Sequence, residues 1–325
     1  MTISVTIPVY NEADNLRPLC ERLVPVLDSL GMPWEVVLVD DASTDGSAGV
    51  LDALAAEDAR LKIIHFRRNA GQTAAMMAGF EHARGDIIVP MDADLQNDPL
   101  DIPLLLEKLN EGFDVCSGWR KDRHDHSLRR VLPSRIANWL ISKVSGVKLH
   151  DYGCSLKAYR RDVIKGVRLY GEMHRFIPIY AHWLGAKVAE VPVRHHPRVA
   201  GKSAYGLERI FKVLLDLIVV KFLERYAQKP MYVFGGFGLI NFLISLAAGL
   251  WAVYLKFSAG ISFIQTPLPL LVVMAAITGV MCVLLGLVAE MVTRNWHESR
   301  HKGTYVIGET RNLEGGSIAA AGRRQ

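Results

Sequence analysis

The sequence predicts an α/β protein, a mostly parallel sheet with helices on both faces, followed by two membrane-spanning helices near the C-terminal end. Three observations carry this. Strand-like and helix-like patterns alternate through the first ninety or so residues, the order that builds a parallel sheet covered on both sides. The runs EVVLVD and DIIVPM are almost wholly apolar, as strands buried on both faces require. Residues 233–255 and 267–289 contain no charged side chain, and each stretch is about long enough to cross a bilayer as a helix.

In chain order, residues 3–10 are β-rich. A helix follows, with Leu16, Leu19, Cys20, Leu23, Leu27 and Leu30 on one face. The pattern then predicts a strand at 35–40, a helix at 47–57, a strand at 61–66, a helix at 72–83 and a strand at 86–91. Residues 120–135 are rich in Arg, His, Asp and Lys and read as an exposed loop or helix start. A strand returns at 188–196. Residues 205–227 form an amphipathic pattern, with Leu207, Ile210, Phe211, Leu214 and Ile218 opposite Arg209, Lys212 and Asp216. With two spans directly after it, this segment reads as a helix lying along a membrane surface. The organisation predicted is a catalytic domain at 1–204, a juxtamembrane helix at 205–229, a two-helix hairpin at 230–292 and a partly disordered tail at 293–325.

Half of the residues are hydrophobic, and the excess lies in the last third. The formal net charge of +5 suits anionic headgroups or phosphate ligands. No basic tract interleaved with aromatics suggests nucleic acid. Cys20, Cys116, Cys154 and Cys282 are scattered, which argues against a zinc site or disulfide framework and for a reducing compartment. Residues 2–10 read as a strand rather than a leader. Arg225 and Lys229 flank the first span and Arg294, Arg300 and Lys302 the second, whereas the linker carries only Lys256. The positive-inside rule therefore puts the catalytic domain and the tail in the cytoplasm, anchored to the inner membrane as a multi-pass protein. Small residues one turn apart, Ser245 with Gly249 and Ala275 with Gly279, allow close helix contacts within the hairpin or in a homo-oligomer.

The strongest chemical signal is Met91-Asp92-Ala93-Asp94-Leu95-Gln96. Two carboxylates one residue apart, at the C-terminal end of a buried strand, face the crevice where α/β sheets bind ligands. Such oxygen ligands suit Mg²⁺ or Mn²⁺. Asp40 and Asp41 end the second strand and can accept hydrogen bonds from a base or ribose; Ser43 or Asp45 could cap the next helix. Gly71, after the third strand, would let backbone approach an anion at a helix N-terminus.

Together, TIPVYNE at 6–12, VDDASTDGS at 39–47, RNAGQTAAMMAGF at 68–80 and MDADLQNDP at 91–99 resemble glycosyltransferase family 2, the inverting transferases of GT-A fold. SGWR at 117–120, DYGCSLKAYRRDVI at 151–164 and RVAGKSAY at 198–205 resemble its polyprenyl-phosphate branch, and lean toward the bacterial arabinose-transferase-like group. The resemblance implies a nucleotide-sugar donor and a polyprenyl-phosphate acceptor. It implies that Pro8, Tyr10, Glu12 and Asp40 or Asp41 hold base and ribose, and that Asp92, Asp94 and Gln96 hold metal and diphosphate. Arg120, Arg130, Ser134, Arg135, Arg198 and the neighbouring Lys202 would meet the lipid phosphate or the diphosphate, since guanidinium forks match phosphate oxygens. Asp151 would orient an acceptor or an arginine, or act as a structural cap.

A processive polysaccharide synthase usually has a Q-x-x-R-W motif and more spans, which are absent here. A silent scaffold or transporter is disfavoured by the intact acidic motif and the uncharged spans. A dinucleotide-dependent dehydrogenase would need G-x-G-x-x-G where this chain has PVYNEAD.

Overall fold

The computed structural model describes residues 1–121, 141–143, 145–165, 173–196, 231–298 and 305–313. The expected juxtamembrane helix, most of the charged 120–135 stretch, and Arg130, Ser134, Arg135, Arg198 and Lys202 lie outside these residues. The described residues fall in two compact units, one holding the sheet, the other holding the two long C-terminal helices.

The first unit alternates as the pattern predicts: β1 (Ile3–Val9), α1 (Ala13–Ser29), β2 (Trp34–Asp40), α2 (Ser47–Glu57), β3 (Leu61–Phe66), α3 (Gln72–His82) and β4 (Ile87–Pro90). Then come α4 (Ile102–Asn110), β5 (Val115–Trp119), β6 (Lys157–Arg160), α5 (Arg161–Lys165), α6 (Ile177–Trp183) and β7 (Val188–Pro192). The sheet order is β7-β5-β6-β4-β1-β2-β3-β8, where β8 is Ile307–Arg311. β1 pairs in parallel with β2 and β4, and β2 with β3. β6 is antiparallel to both β4 and β5, while β5 and β7 are parallel. The sheet is thus mixed, with parallel pairing in its centre.

All seven residues of β2 are buried, the signature read in EVVLVD. One face of the sheet carries α1, α2 and α4, with Leu16, Leu23, Leu51, Leu54, Leu105 and Leu109 set against Val5, Leu38 and Ile63. On the other face α3 lays Ala74, Ala75 and Ala78 on Val37, Val39 and Ile64. These small side chains let α3 approach closely: a Cβ on Gly79 would sit 3.1 Å from Thr6 Cβ.

β8 is the main departure from the sequence reading. No strand was expected in this part of the tail, and β8 pairs antiparallel with β3, Ile63 opposite Arg311 and His65 opposite Glu309. Tyr305 stacks on Phe66 with ring centroids 4.9 Å apart and donates its hydroxyl hydrogen to Glu81 of α3. Asn312 Nδ2 donates to the carbonyls of Ala55 and Leu61 at 2.7 and 2.9 Å. The strand was hard to foresee because IGETR is polar beyond its first residue, which suits an edge. The last expected strand, 188–196, is shorter than read: it ends at Pro192, although His195 still forms an isolated bridge with Asn97.

The second unit consists of α7 (Met231–Ser258) and α8 (Leu268–Glu298), both long and apolar enough to span a membrane. Their small residues lie against each other: a Cβ on Gly238 would come within 3.0 Å of the Gly279 carbonyl oxygen, and Ser245 Oγ donates to Val272 O at 2.9 Å. Ser245, Gly279 and the buried Ala275 thus serve contacts within the pair. Trp251 and Tyr254 stack toward the C-terminal end of α7, and Lys256 lies over Phe263 in the connection that follows, an aromatic cluster of the kind found at membrane interfaces.

Candidate active site

The parallel strands β1 to β4 end at one edge of the sheet, and the loops there carry most of the expected site residues. Pro8 is half-buried beside Val39, and Tyr10 is exposed. The next residues knit the loop after β1 to that after β2. Asn11 N donates to Ser43 Oγ at 3.0 Å, Thr44 N to Asn11 Oδ1 at 2.8 Å, Glu12 N to Ser47 Oγ at 3.0 Å and Ala13 N to Asp45 Oδ2 at 3.0 Å. Asp45 also accepts Ser47 N ahead of α2, so it supports the start of that helix, while Ser43 belongs to the loop network.

Asp40 and Asp41 are both buried but serve different loops. Asp40 Oδ1 accepts Ser43 N at 2.9 Å and holds its own turn. Asp41 accepts Ala70 N at 2.6 Å and Gly71 N at 2.9 Å, so it clamps the loop after β3. Burial lifts the Asp41 carboxyl above its ordinary range in spite of these two bonds. Gly71 has φ +91° immediately before α3, a conformation costly for any residue with a Cβ.

The acidic motif follows β4. Asp94 is buried, Asp92 is half-buried, and Leu95 between the motif's acids and Gln96 is left-handed at φ +60°. Asn11 and Ala42 share this unusual backbone, so three of the site loops hold local strain. Asp92 Oδ1 accepts from Gln72 Nε2 at 3.0 Å. Burial, then the neighbouring Asp94 charge, push the Asp92 carboxyl above its usual range, against a hydrogen bond from Ser155 and the charges of Arg120 and Lys157. Crowded, desolvated carboxylates of this kind favour a divalent cation between them. Among the described residues no cluster of three or more His, Cys, Asp or Glu makes a ready cage; the two aspartates leave positions for ligand oxygens, as Mg²⁺-type sites do. Gln96 contributes its backbone: its N–H bonds Asp94 Oδ1 at 3.2 Å and its carbonyl accepts His196 N at 2.9 Å. His196 therefore lies beside the acidic motif.

Arg120, just past β5, is gripped edge-on by Asp151. Nε donates to Oδ2 at 2.7 Å and Nη2 to Oδ1 at 3.0 Å. Burial alone would ease the proton off this guanidinium, but Asp151 outweighs it and holds the charge firmly. Asp151 also accepts Gly153 N at 3.0 Å. Its carboxylate is thus committed to the arginine and its own turn, which favours the orienting role over direct contact with an acceptor.

Sequence reasoning missed Gln72, Ser155 and Lys157. Lys157 is fully buried in β6, donates to the carbonyls of Cys154 and Tyr152, and burial depresses its proton affinity. A lone lysine inside the apolar run SLKAY was the available signal. All four cysteines are free, and burial lifts Cys116 to about 12 and Cys154 to about 11, leaving them unreactive.

The model of glycosyl transferase family 2 matches residues 4–168. Dodecaprenyl-phosphate galacturonate synthase of Rhizobium johnstonii is 40% identical over 311 residues, spanning 94% of this chain and 92% of that protein. Undecaprenyl-phosphate 4-deoxy-4-formamido-L-arabinose transferase of Shewanella sediminis is 38% identical over 307 residues, spanning 94% and 91%. Among solved structures, glucosyl-3-phosphoglycerate synthase from Mycobacterium tuberculosis in complex with Mn²⁺ and UDP-glucose superposes with a TM-score of 0.52 at 20% identity, over 69% of this chain and 78% of that one, which bears out the GT-A fold. The sheet-end acidic site, the Asp151-held arginine and these full-length likenesses lead to one assignment: the chain is a glycosyltransferase and belongs to glycosyl transferase family 2.

Proposed function

We propose that this enzyme transfers a glycosyl group from a nucleotide-sugar, with a UDP-sugar favoured over a GDP-sugar, to a polyprenyl phosphate at the cytoplasmic face of the inner membrane. The observation that carries the proposal is the pairing of an acidic donor-type site, Asp92 and Asp94 after β4, with a half-buried, Asp151-anchored arginine after β5, two strands along the same sheet. The names of the full-length relatives supply the acceptor class.

A phosphate oxygen of the acceptor attacks the anomeric carbon. The bond from that carbon to the diphosphate oxygen breaks, the electron pair leaves with the nucleoside diphosphate, and configuration inverts. The acceptor is already ionised near neutral pH, so positioning and charge stabilisation carry the catalysis. Asp92 and Asp94, with Gln96 alongside, would hold a divalent cation, which would supply charge neutralisation for the departing diphosphate. Asp41 and Gly71 shape the floor for the nucleoside, with Pro8, Tyr10 and Glu12 at its rim. Arg120 offers its remaining N–H groups to phosphate oxygens, oriented by Asp151. Arg130, Ser134, Arg135, Arg198 and Lys202 supply further phosphate contacts in this reading.

β8 supports the topology. The chain leaves the sheet-bearing unit, forms two spans and re-enters the same sheet, so both ends of the hairpin belong on one side of the bilayer. The charge pattern supports the cytoplasm as that side.

The test is to incubate the full-length protein, in nanodiscs, with UDP- and GDP-sugars and undecaprenyl phosphate, and to read lipid products by mass spectrometry. One glycosyl-phosphoprenyl product with stoichiometric nucleoside diphosphate supports the proposal. Nucleotide-sugar hydrolysis without lipid product, or a polymer, overturns it.

A further inference from the structure

The sheet face under α2 carries a run of alternating charges that the reaction does not use directly. Asp40 in β2 and His65 in β3 are neighbours in register, and His65 is opposite Glu309 in β8. Asp40 Oδ2 lies 2.9 Å from His65 Nδ1. The other ring nitrogen lies 3.4 Å from Asp52 Oδ1 of α2, and Arg311 Nε of β8 lies 3.1 Å from that same oxygen. Arg311 also pairs with Glu309 at 2.8 Å. The order across the face is carboxylate, imidazole, carboxylate, guanidinium.

Each link constrains the next. Asp40 is almost fully buried, and its other oxygen holds Ser43 N. Ser43 in turn holds Asn11, across the loop knot described above. Between Asp40 and Ser43 lie Asp41, which clamps the loop after β3, and the left-handed Ala42. A turn with a left-handed non-glycine residue needs outside fixation, and the buried Asp40 carboxylate supplies it only while its second oxygen is satisfied. His65 satisfies it. Both ring nitrogens face carboxylates, and Asp40 first, then Asp52, raise the proton affinity of the imidazole against burial.

We propose that His65, fixed through Asp52 by Arg311 of the strand that follows the membrane hairpin, is a positioning residue for the donor nucleotide. It sets the Asp40–Ser43 turn and, through it, the Asp41 clamp on the floor of the nucleoside site. This rests on the reading of the Asp40–Gly71 loops as the donor site. The effector end of the chain is exposed and remote, since Arg311 is 42% exposed and touches none of the loop residues named above.

The test uses full-length His65→Gln, Arg311→Gln, Arg311→Lys and the double variant His65→Gln/Arg311→Gln. Binding of UDP and of GDP with Mn²⁺ is measured by calorimetry, beside KM for undecaprenyl phosphate and melting temperature. Each glutamine variant is expected to weaken nucleoside diphosphate binding roughly three- to tenfold. The acceptor KM should not move, the double variant should be no weaker than His65→Gln alone, and Arg311→Lys should recover most of the loss. Additive losses, or wild-type nucleotide affinity in both glutamine variants, overturn the proposal. If His65→Gln fails to fold, the surface variant Arg311→Gln and its lysine rescue decide alone. Wild-type protein that binds neither UDP nor GDP removes the donor-site reading and this inference with it; intact wild-type binding that the variants leave unchanged removes only the positioning role.

Discussion

Arg120 and Asp151 meet as a two-point fork, Nε on Oδ2 at 2.7 Å and Nη2 on Oδ1 at 3.0 Å, across 31 residues of chain. A fork of this kind fixes the plane of the guanidinium as well as its position. Arg120→Lys keeps the charge and loses the plane. Its kcat should fall about tenfold or more while UDP or GDP affinity stays within about twofold. Asp151→Asn should lower kcat similarly and also lower the melting temperature, because a half-buried guanidinium loses its buried counter-charge. Steady-state kinetics beside calorimetry check both. A loss of nucleotide affinity in proportion to activity would assign Arg120 to the donor diphosphate.

Asp94→Asn should cut transfer about a hundredfold or more, the usual scale for losing a group that stabilises transition-state charge, with an unchanged circular dichroism spectrum. EDTA should do the same to the wild type, and Mn²⁺ or Mg²⁺ should restore it. Full activity in EDTA would remove the metal from the mechanism.

At the opposite end of the strands, Glu35 accepts Ser4 Oγ at 2.5 Å and Arg84 N at 2.6 Å and pairs with Lys62. Burial would raise its carboxyl, but Lys62, Ser4 and Arg84 together hold it below the ordinary range. A depressed carboxylate contributes stability above its unfolded pKa of about 4.3, and that contribution is lost as pH falls through the lower folded value. Glu35→Gln should cost about 3 kcal/mol at pH 7. Urea melts should show the gap to wild type closing as pH drops below about 4.

The hairpin reading has a labelling test. With Cys282 replaced, a cysteine at Ser262 in the connection between α7 and α8 should react with an impermeant maleimide from outside intact cells. A cysteine at the exposed Glu309 of β8 should react only after lysis. The reverse pattern would overturn the cytoplasmic placement.

How much of this was legible depended on how local each feature is. The strands β1 to β4 and the acid pair after β4 are written in contiguous runs, so pattern reading located them to within a residue or two. Asp41 was visible as a strand-ending acid, but its partners, Ala70 and Gly71, are backbone N–H groups that no side-chain pattern announces. The Arg120–Asp151 fork depends on β6 entering the sheet between β4 and β5, a crossing that spacing alone does not encode. β8 escaped because an edge strand exposed to water needs little apolar alternation, and His65 because its significance lies in strands on either side of it.

The position of β8 in the chain also sets an order of assembly. A ribosome delivers β1 to β7 first, then α7 and α8, and β8 only afterwards. Until residues 307–311 emerge, β3 presents unpaired N–H and C=O groups along a strand that carries Ile63 and Ile64, a template for mispairing with any other chain. The sheet of the nascent enzyme therefore closes only after both spans have been made, and a chain truncated anywhere before residue 307 keeps that edge open for its whole lifetime.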